Sequence, residues 1–151
     1  MLQLGDMLPS FALPDQHGEE INSETLFGKP CVIFFYPKYD TPVCTIEACT
    51  FQSELSAFNQ FAATVIGIST DSPASHLNFA NKHGLSFKLL SDVDKHVEKL
   101  FGLKRSFFGV LAQRATFVFD ENGVLLKVID SRFDGKKHMS EALIQLKELH
   151  H

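Results

Sequence analysis

The run Cys31–Tyr36, with the sequence Cys-Val-Ile-Phe-Phe-Tyr, constrains the fold more than any other segment of the chain. It is apolar throughout, rich in residues that favour strands, and as long as one typical strand. Pro37 follows at once and ends the run, because proline lacks the N–H group that a sheet ladder needs. An apolar strand of this kind is buried on both faces. The segment therefore predicts an interior strand of a sheet that has another layer packed on each side.

Strand and helix patterns alternate along the rest of the chain. Thr41-Pro42 predicts the start of a long helix that reaches about Phe61, because threonine is a good N-cap and proline suits the first helical position. The other predicted strands are 11–13, 20–22, 64–69, 87–90, 115–119 and 124–130, and the other predicted helices are 73–83, 94–101 and a last helix that starts at Ser140. This order predicts an α/β fold, a thioredoxin-like three-layer α/β/α sandwich with a mixed central sheet and an N-terminal β-hairpin.

Length, charge and hydropathy narrow the class of protein. The 151 residues predict one domain over 1–151, and 44% hydrophobic with 21% charged residues excludes a disordered chain. A net charge of −4 argues against nucleic-acid binding, which needs a basic surface. Since no apolar run is long enough to span a membrane and no signal-peptide pattern is present, we expect no membrane contact and a cytoplasmic location.

Cys44 occupies a position that favours the reactive thiolate. If Thr41 is the N-cap, Cys44 is the third residue of the helix, where backbone N–H groups have no partner inside the helix. These groups and the positive end of the helix dipole stabilise a negative charge, and the thiolate is the nucleophilic form of cysteine. Asp40 opposes this effect, so we expect a cationic partner for Cys44.

The spacing of the cysteines limits how they can pair. Cys44 and Cys49 lie five residues apart, which in an intact helix separates their Cα atoms by about 8.6 Å. A disulfide needs a Cα separation of less than about 7 Å. The two residues therefore either never pair or pair only after the helix unwinds. Cys31 lies in the apolar strand and is expected to belong to the core.

Two alternative chemistries compete for these cysteines. A thiol-disulfide oxidoreductase of the thioredoxin type would carry a Cys-x-x-Cys pair, which this chain lacks. A thiol-ligated metal-binding protein would use Cys31, Cys44 and Cys49 together with a histidine, but the paired spacing typical of metal sites is missing too. The histidines that are scattered along the chain are each predicted to lie at the surface: His17, His76, His83, His96 and His138.

The motif Pro37-x-x-x-Thr41-x-x-Cys44 after a buried strand resembles the active-site motif of the peroxiredoxins. The wider pattern resembles the bacterioferritin comigratory protein, or peroxiredoxin Q, subfamily. Its segments are Leu4-Gly5-Asp6, Pro9-x-Phe11-x-Leu13-Pro14, Phe35-Tyr36-Pro37-Lys38, Cys44-Thr45, Glu47-Ala48-Cys49, Gly67-Ile68-Ser69-x-Asp71-Ser72-Pro73, Leu89-Leu90-Ser91-Asp92 and Arg114-Ala115-Thr116-Phe117. The resemblance extends over nearly the whole chain.

This resemblance implies a role for each residue of the motif. Cys44 would be the peroxidatic cysteine, in a pocket that Thr41 and Pro42 shape. Cys49 would be the resolving cysteine. Arg114 would be the cation that activates Cys44, and Glu47 would help to order the arginine. The implied catalytic residues are Pro37, Thr41, Cys44, Glu47, Cys49 and Arg114.

The resemblance further implies a thiol-dependent peroxidase that reduces hydrogen peroxide and organic hydroperoxides. The reaction would pass through a sulfenic acid on Cys44, which a Cys44–Cys49 disulfide resolves and which thioredoxin or another dithiol reductant recycles. No cofactor is implied: neither metal, haem nor flavin takes part. The expected assembly is a monomer or a weak homodimer.

Overall fold

The computed structural model describes residues 1–37, 42–106, 111–112, 114–131 and 134–149. The strands are β1 (Ala12–Pro14), β2 (Glu20–Asn22), β3 (Cys31–Phe35), β4 (Thr64–Ser69), β5 (Lys88–Ser91), β6 (Arg105–Ser106), β7 (Leu111–Ala112), β8 (Ala115–Phe119) and β9 (Leu125–Asp130). The helices are α1 (Pro42–Ser53), α2 (Leu55–Gln60), α3 (Pro73–His83), α4 (His96–Leu100) and α5 (Gly135–Leu149), with a short 3₁₀ helix at Ser23–Leu26. None of the helices in these ranges is long and apolar enough to cross a membrane.

The central sheet has five strands in the order β5-β4-β3-β8-β9. Strand β3 pairs in parallel with β4 on one side and antiparallel with β8 on the other. The apolar run that predicted an interior strand therefore lies in the middle of a mixed sheet, and every residue of β3 is buried. Strands β1 and β2 form the predicted N-terminal hairpin.

Successive side chains of β3 point to opposite faces of the sheet, as in any strand, and so pack in two separate hydrophobic cores. Phe34 faces the core on which α1, α2, α3 and α5 pack, and Ile33 faces the core on the other side. That second core is covered by the N-terminal segment and by α4, which contributes Val97. The predicted three-layer α/β/α sandwich is confirmed.

The helix that was predicted to continue to about Phe61 is interrupted at Glu54. Helix α1 ends at Ser53, and the φ and ψ angles of Glu54 are −105° and 12°, outside the helical range. Two hydroxyls precede the break and donate to carbonyls of the preceding turn: Thr50 to Ile46 at 2.5 Å and Ser53 to Thr50 at 2.8 Å. Such back-bonding bends helices, which accounts for the interruption.

Helix α5 begins five residues before the predicted start at Ser140, so that prediction was wrong. The side chain of Asp134 accepts a hydrogen bond from the backbone N–H of Lys137 at 3.1 Å, which is an N-cap interaction. The segment 134–137 therefore starts the helix instead of forming a loop. The short β6–β7 pair was not predicted either, because two residues per strand are too few to show a period of two.

Gly135 brings α5 into backbone contact with α1. A Cβ atom at this position would lie 2.9 Å from the backbone nitrogen of Glu47 and 3.0 Å from the carbonyl oxygen of Val43. Backbone atoms in a helix cannot rotate away as a side chain can. Glycine at position 135 is therefore what allows the two helices to approach so closely.

We expect Gly135→Ala to lower the free energy of unfolding by about 1–3 kcal/mol, because the added methyl forces α1 and α5 apart. Urea unfolding followed by circular dichroism measures the effect. Lys136→Ala is the matched control, since Lys136 is exposed in the same turn of α5. Equal stabilities of the two variants would contradict the close contact.

Candidate active site

Cys44 lies at the carboxyl end of the central strand, in the first turn of α1. It is the third residue of that helix and only 1% of its surface is exposed. Its position in the first helical turn agrees with the prediction from the sequence. Pro37 is half-buried shortly after β3, whereas Thr41, the predicted N-cap, lies outside the described residues.

Arg114 is brought to Cys44 by the register of the sheet. Strand β8 begins opposite the end of β3, because Ala115 pairs with Phe35 in the antiparallel ladder. Arg114 directly precedes Ala115, so its side chain starts at the edge where α1 begins. Its Nη2 atom donates a hydrogen bond to the Sγ atom of Cys44 at 3.1 Å, and the side chain is 4% exposed. This is the cationic partner that the sequence led us to expect.

Glu47 holds the other side of the guanidinium group. It lies three residues after Cys44 and therefore on the same face of α1, and its side chain is fully buried. Nη1 of Arg114 donates to Oε1 of Glu47 at 2.9 Å. Burial raises the pKa of Glu47 to about 8, although Arg114 opposes the rise. The carboxyl group thus fixes the orientation of Arg114 toward Cys44.

His138 completes this cluster from α5, and its predicted surface position was wrong. The ring is fully buried, with Nδ1 2.7 Å from Oγ1 of Thr116 and 3.4 Å from Oε2 of Glu47. Its Nε2 lies 2.7 Å from the carbonyl oxygen of Ser131. Burial lowers the pKa of His138.

A signal for His138 exists in the sequence, but it depends on where α5 starts. Gly135, His138, Ala142 and Leu146 are the buried residues of the helix and follow one another at spacings of three and four. A helix that starts at Ser140 contains only the last two of them. Because the predicted helix began too late, the sequence did not predict that His138 is buried.

His76 is a second histidine that the sequence wrongly placed at the surface. It is fully buried in α3, between the hydroxyls of Ser69, 2.8 Å from Nε2, and Ser91, 3.1 Å from Nδ1. Burial lowers the pKa of His76 to about 4, so its ring is neutral at physiological pH. The two serines satisfy both ring nitrogens, which explains why a histidine is tolerated in the core.

The other two cysteines differ from Cys44 in their surroundings. Cys49 is a half-buried free thiol in the same unbroken helix, and burial raises its pKa. Cys31 is a free thiol at the start of β3, where burial raises its pKa to about 12. This position confirms the prediction that Cys31 belongs to the core.

The arrangement of the cysteines does not support the metal-binding alternative. Cys31 belongs to the core on one face of the sheet and Cys44 to the core on the other. Within the described part of the chain, the one cluster of three potential ligands contains no cysteine and consists of Asp92, Asp94 and His96. Asp92 accepts from the backbone N–H groups of Val97 and Glu98, which is the role of a helix cap.

Comparisons with known proteins agree with the geometry of the site. The sequence profile described as the AhpC/TSA family matches residues 4–128. The chloroplastic peroxiredoxin Q of Sedum lineare is 42% identical over 145 residues, which cover 96% of this chain and 78% of that protein.

Two solved structures share the fold over almost their whole length. The peroxidoxin BcpB from Mycobacterium tuberculosis superposes with a TM-score of 0.93 at 37% identity and covers 99% of both chains. The bacterioferritin comigratory protein of Xanthomonas campestris gives a TM-score of 0.86 at 30% identity, over 95% of this chain and 99% of that one. The chain therefore belongs to the AhpC/TSA family, in its peroxiredoxin Q branch, and is a thiol-dependent peroxidase.

Proposed function

We propose that Cys44 is the peroxidatic cysteine of this peroxidase and that Arg114 activates it. The observation that carries the proposal is the 3.1 Å hydrogen bond from the arginine to the sulfur at the start of α1. A guanidinium group stays protonated at any physiological pH, so it favours the thiolate permanently. Glu47 acts through Arg114 by holding the guanidinium in place.

The chemical step is a displacement at one oxygen of the hydroperoxide. The Cys44 thiolate attacks that oxygen, an S–O bond forms, and the O–O bond breaks. The other oxygen leaves as hydroxide or alkoxide, takes up a proton, and becomes water or an alcohol, while Cys44 becomes a sulfenic acid. Arg114 has N–H groups in a rigid fork that can stabilise the charge on both oxygens. The resemblance to the peroxiredoxin motif assigns the shape of the pocket to Thr41 and Pro42, and Pro37 belongs to the same motif.

Cys49 resolves the sulfenic acid in this proposal. Its thiol attacks the sulfur of Cys44, a disulfide forms, and water leaves. Both residues lie within α1, where an intact helix holds their Cα atoms about 8.6 Å apart, so the first turns must unwind first. Local openings of this size cost less than global unfolding, but here they also separate Glu47 from Arg114.

A dithiol protein, thioredoxin or a similar reductant, then returns both electrons and both protons to Cys44 and Cys49 and becomes oxidised itself. We propose hydrogen peroxide and organic hydroperoxides as substrates; the Xanthomonas campestris relative is described by its alkyl peroxide reduction activity. The three free thiols suit a reducing compartment, and we propose the cytoplasm. Since the Sedum lineare relative is chloroplastic, cell fractionation is the measurement that decides the location.

Peptide mapping tests the resolving step. After one equivalent of peroxide, we expect the tryptic peptide 39–82 to resist alkylation and to be two hydrogen atoms lighter than the reduced peptide, because it contains both Cys44 and Cys49. The same stretch should lose helical signal and exchange its amide protons faster. Cys49→Ser is the control: it should consume one equivalent of peroxide and stop as a sulfenic acid. A sulfenic acid on Cys44 beside a free Cys49 thiol, persisting in the wild type over the turnover time, contradicts the proposal.

A further inference from the structure

The Oε2 atom of Glu47 is a buried carboxyl oxygen for which the described residues provide no hydrogen bond. The other oxygen, Oε1, accepts from Arg114. The polar atom that faces Oε2 is Nδ1 of His138, 3.4 Å away. Burying a carboxylate oxygen without a hydrogen-bond donor costs free energy. The protonation state of Glu47 and His138 therefore requires an explanation.

The surroundings of His138 determine which of its nitrogens carries a proton. Nε2 lies 2.7 Å from the carbonyl oxygen of Ser131, and a carbonyl can only accept, so Nε2 is the N–H donor. In a neutral ring, Nδ1 is then an acceptor, and the hydroxyl of Thr116 donates to it at 2.7 Å. An ionised Glu47 would therefore turn lone pairs toward the lone pair of Nδ1. A proton on Oε2 removes this repulsion and shares the single lone pair of Nδ1 with the Thr116 hydroxyl, which agrees with its longer distance of 3.4 Å.

We propose that Glu47 is a neutral carboxylic acid in the reduced protein, with a proton on Oε2 directed at Nδ1 of His138, and that His138 is the positioning residue for this acid. The inference rests on the proposed function of Cys44 as a thiolate. Burial shifts the pKa of both groups in the corresponding direction, upward for Glu47 and downward for His138.

One proton on the Glu47–His138 pair balances the charges of the buried cluster, and burial favours a neutral acid beside a neutral ring over a buried ion pair. The Cys44 thiolate carries one negative charge and Arg114 one positive charge, and an ionised Glu47 would leave the cluster with an excess negative charge beside the thiolate. Protonated Glu47 still accepts from Arg114 through Oε1, yet it leaves the full charge of the guanidinium available to the sulfur. The other charged groups that act on His138 are Asp130 and Asp134, at the end of β9 and before α5.

Infrared difference spectroscopy of the reduced protein tests the proton directly, without peroxide. We expect the carbonyl band of a protonated carboxyl group at neutral pH, absent from Glu47→Gln. A spectrum in which the wild type and Glu47→Gln do not differ in this band overturns the proposal. Because the measurement does not depend on turnover, its failure would leave the role of Cys44 intact, and loss of that role would be seen in Cys44→Ser instead.

Amide substitutions give a second test. Glutamine at position 47 mimics a protonated glutamate: its carbonyl can accept from Arg114 and its NH₂ can donate to His138. We expect Glu47→Gln to react with hydrogen peroxide faster than Glu47→Leu, by about tenfold or more. The pH at half-maximal alkylation of Cys44 should be the same in Glu47→Gln as in the wild type. A fall of about one pH unit or more would mean that a negative charge had been removed, and this overturns the proposal.

The matching pair at position 138 separates positioning from mere packing. His138→Gln keeps a donor for Ser131 and an acceptor for Glu47, whereas His138→Leu keeps neither. We expect the glutamine variant to recover most of the peroxide rate that the leucine variant loses, about tenfold. His76→Leu removes another buried neutral histidine from the same layer and controls for lost stability. Equal rates of His138→Gln and His138→Leu would overturn the positioning role.

The pH profile provides a readout that packing alone would not move. As the pH rises through the pKa of Glu47, about 8, a negative charge appears beside Arg114 and weakens its hold on the thiolate and the leaving oxygen. The wild-type rate should therefore fall on the alkaline side, and the rate of Glu47→Gln should stay level there. A similar alkaline fall in both proteins contradicts the assignment of the proton to Glu47.

Discussion

Cys44→Ser is expected to abolish peroxide turnover, with a loss of at least about 10³-fold, because serine at this position is not ionised and cannot replace a thiolate nucleophile. Consumption of hydrogen peroxide in the presence of a dithiol reductant measures the loss. The expectation depends on the contact between the Cys44 sulfur and Arg114 at the start of α1.

Cys31→Ala serves as the control for Cys44→Ser. Cys31 is 1% exposed on the opposite face of β3, and alanine avoids placing an unpartnered hydroxyl there. This variant should keep most of the wild-type rate and lose some stability through a small cavity. If Cys44→Ser turned over peroxide near the wild-type rate, or if Cys31→Ala lost it, Cys44 would not be the nucleophile.

Arg114→Ala is expected to slow the reaction with peroxide by at least about 10²-fold, the scale of losing one charged donor in a transition state. Half-maximal alkylation of Cys44 should also move to higher pH, since the neighbouring cation is lost. Stopped-flow measurement with hydrogen peroxide gives the rate, and an iodoacetamide titration gives the midpoint.

Arg114→Lys distinguishes charge from geometry. A lysine restores the positive charge, but a point charge cannot contact the sulfur and the Glu47 carboxyl in the way that a planar fork does. We expect the midpoint of alkylation to recover more fully than the peroxide rate. If Arg114→Ala reacted with peroxide as fast as the wild type, Arg114 would be only a buried structural cation.

The sequence predicted the parts of the site that depend on one local pattern. The apolar run at β3 and the helix start before Cys44 are both local signals, and both lie where the structure has them. Arg114 could be assigned only through the resemblance to peroxiredoxins, because its approach to Cys44 depends on the pairing of Ala115 with Phe35. Such long-range register is not visible in the residues themselves.

The sequence did not predict the burial of His138, because this depends on a weak helix start and on contacts with distant residues. Asp134-Gly135 begins α5, although glycine is a poor helix former, and the predicted start at Ser140 leaves out this first turn. Because the predicted helix lacks this first turn, it does not place His138 on the buried face. A buried histidine also needs partners that are distant in sequence, here Thr116 and Glu47.

The interruption at Glu54 limits how far a helix–coil transition that starts at Pro42 can travel. Helix formation and melting are cooperative along a continuous run of hydrogen bonds. A helix that continued to Phe61 would transmit the loss of its first turns toward Phe58, which is fully buried in the core. The backbone leaves the helical range at Glu54, and two long hydrogen bonds of 3.2 Å join the helices there, from the Glu54 N–H to Thr50 and from the Phe58 N–H to Glu54. We therefore expect melting to stop within the twelve residues of α1. A reductant would then meet a short mobile segment on a domain whose remaining core stays folded.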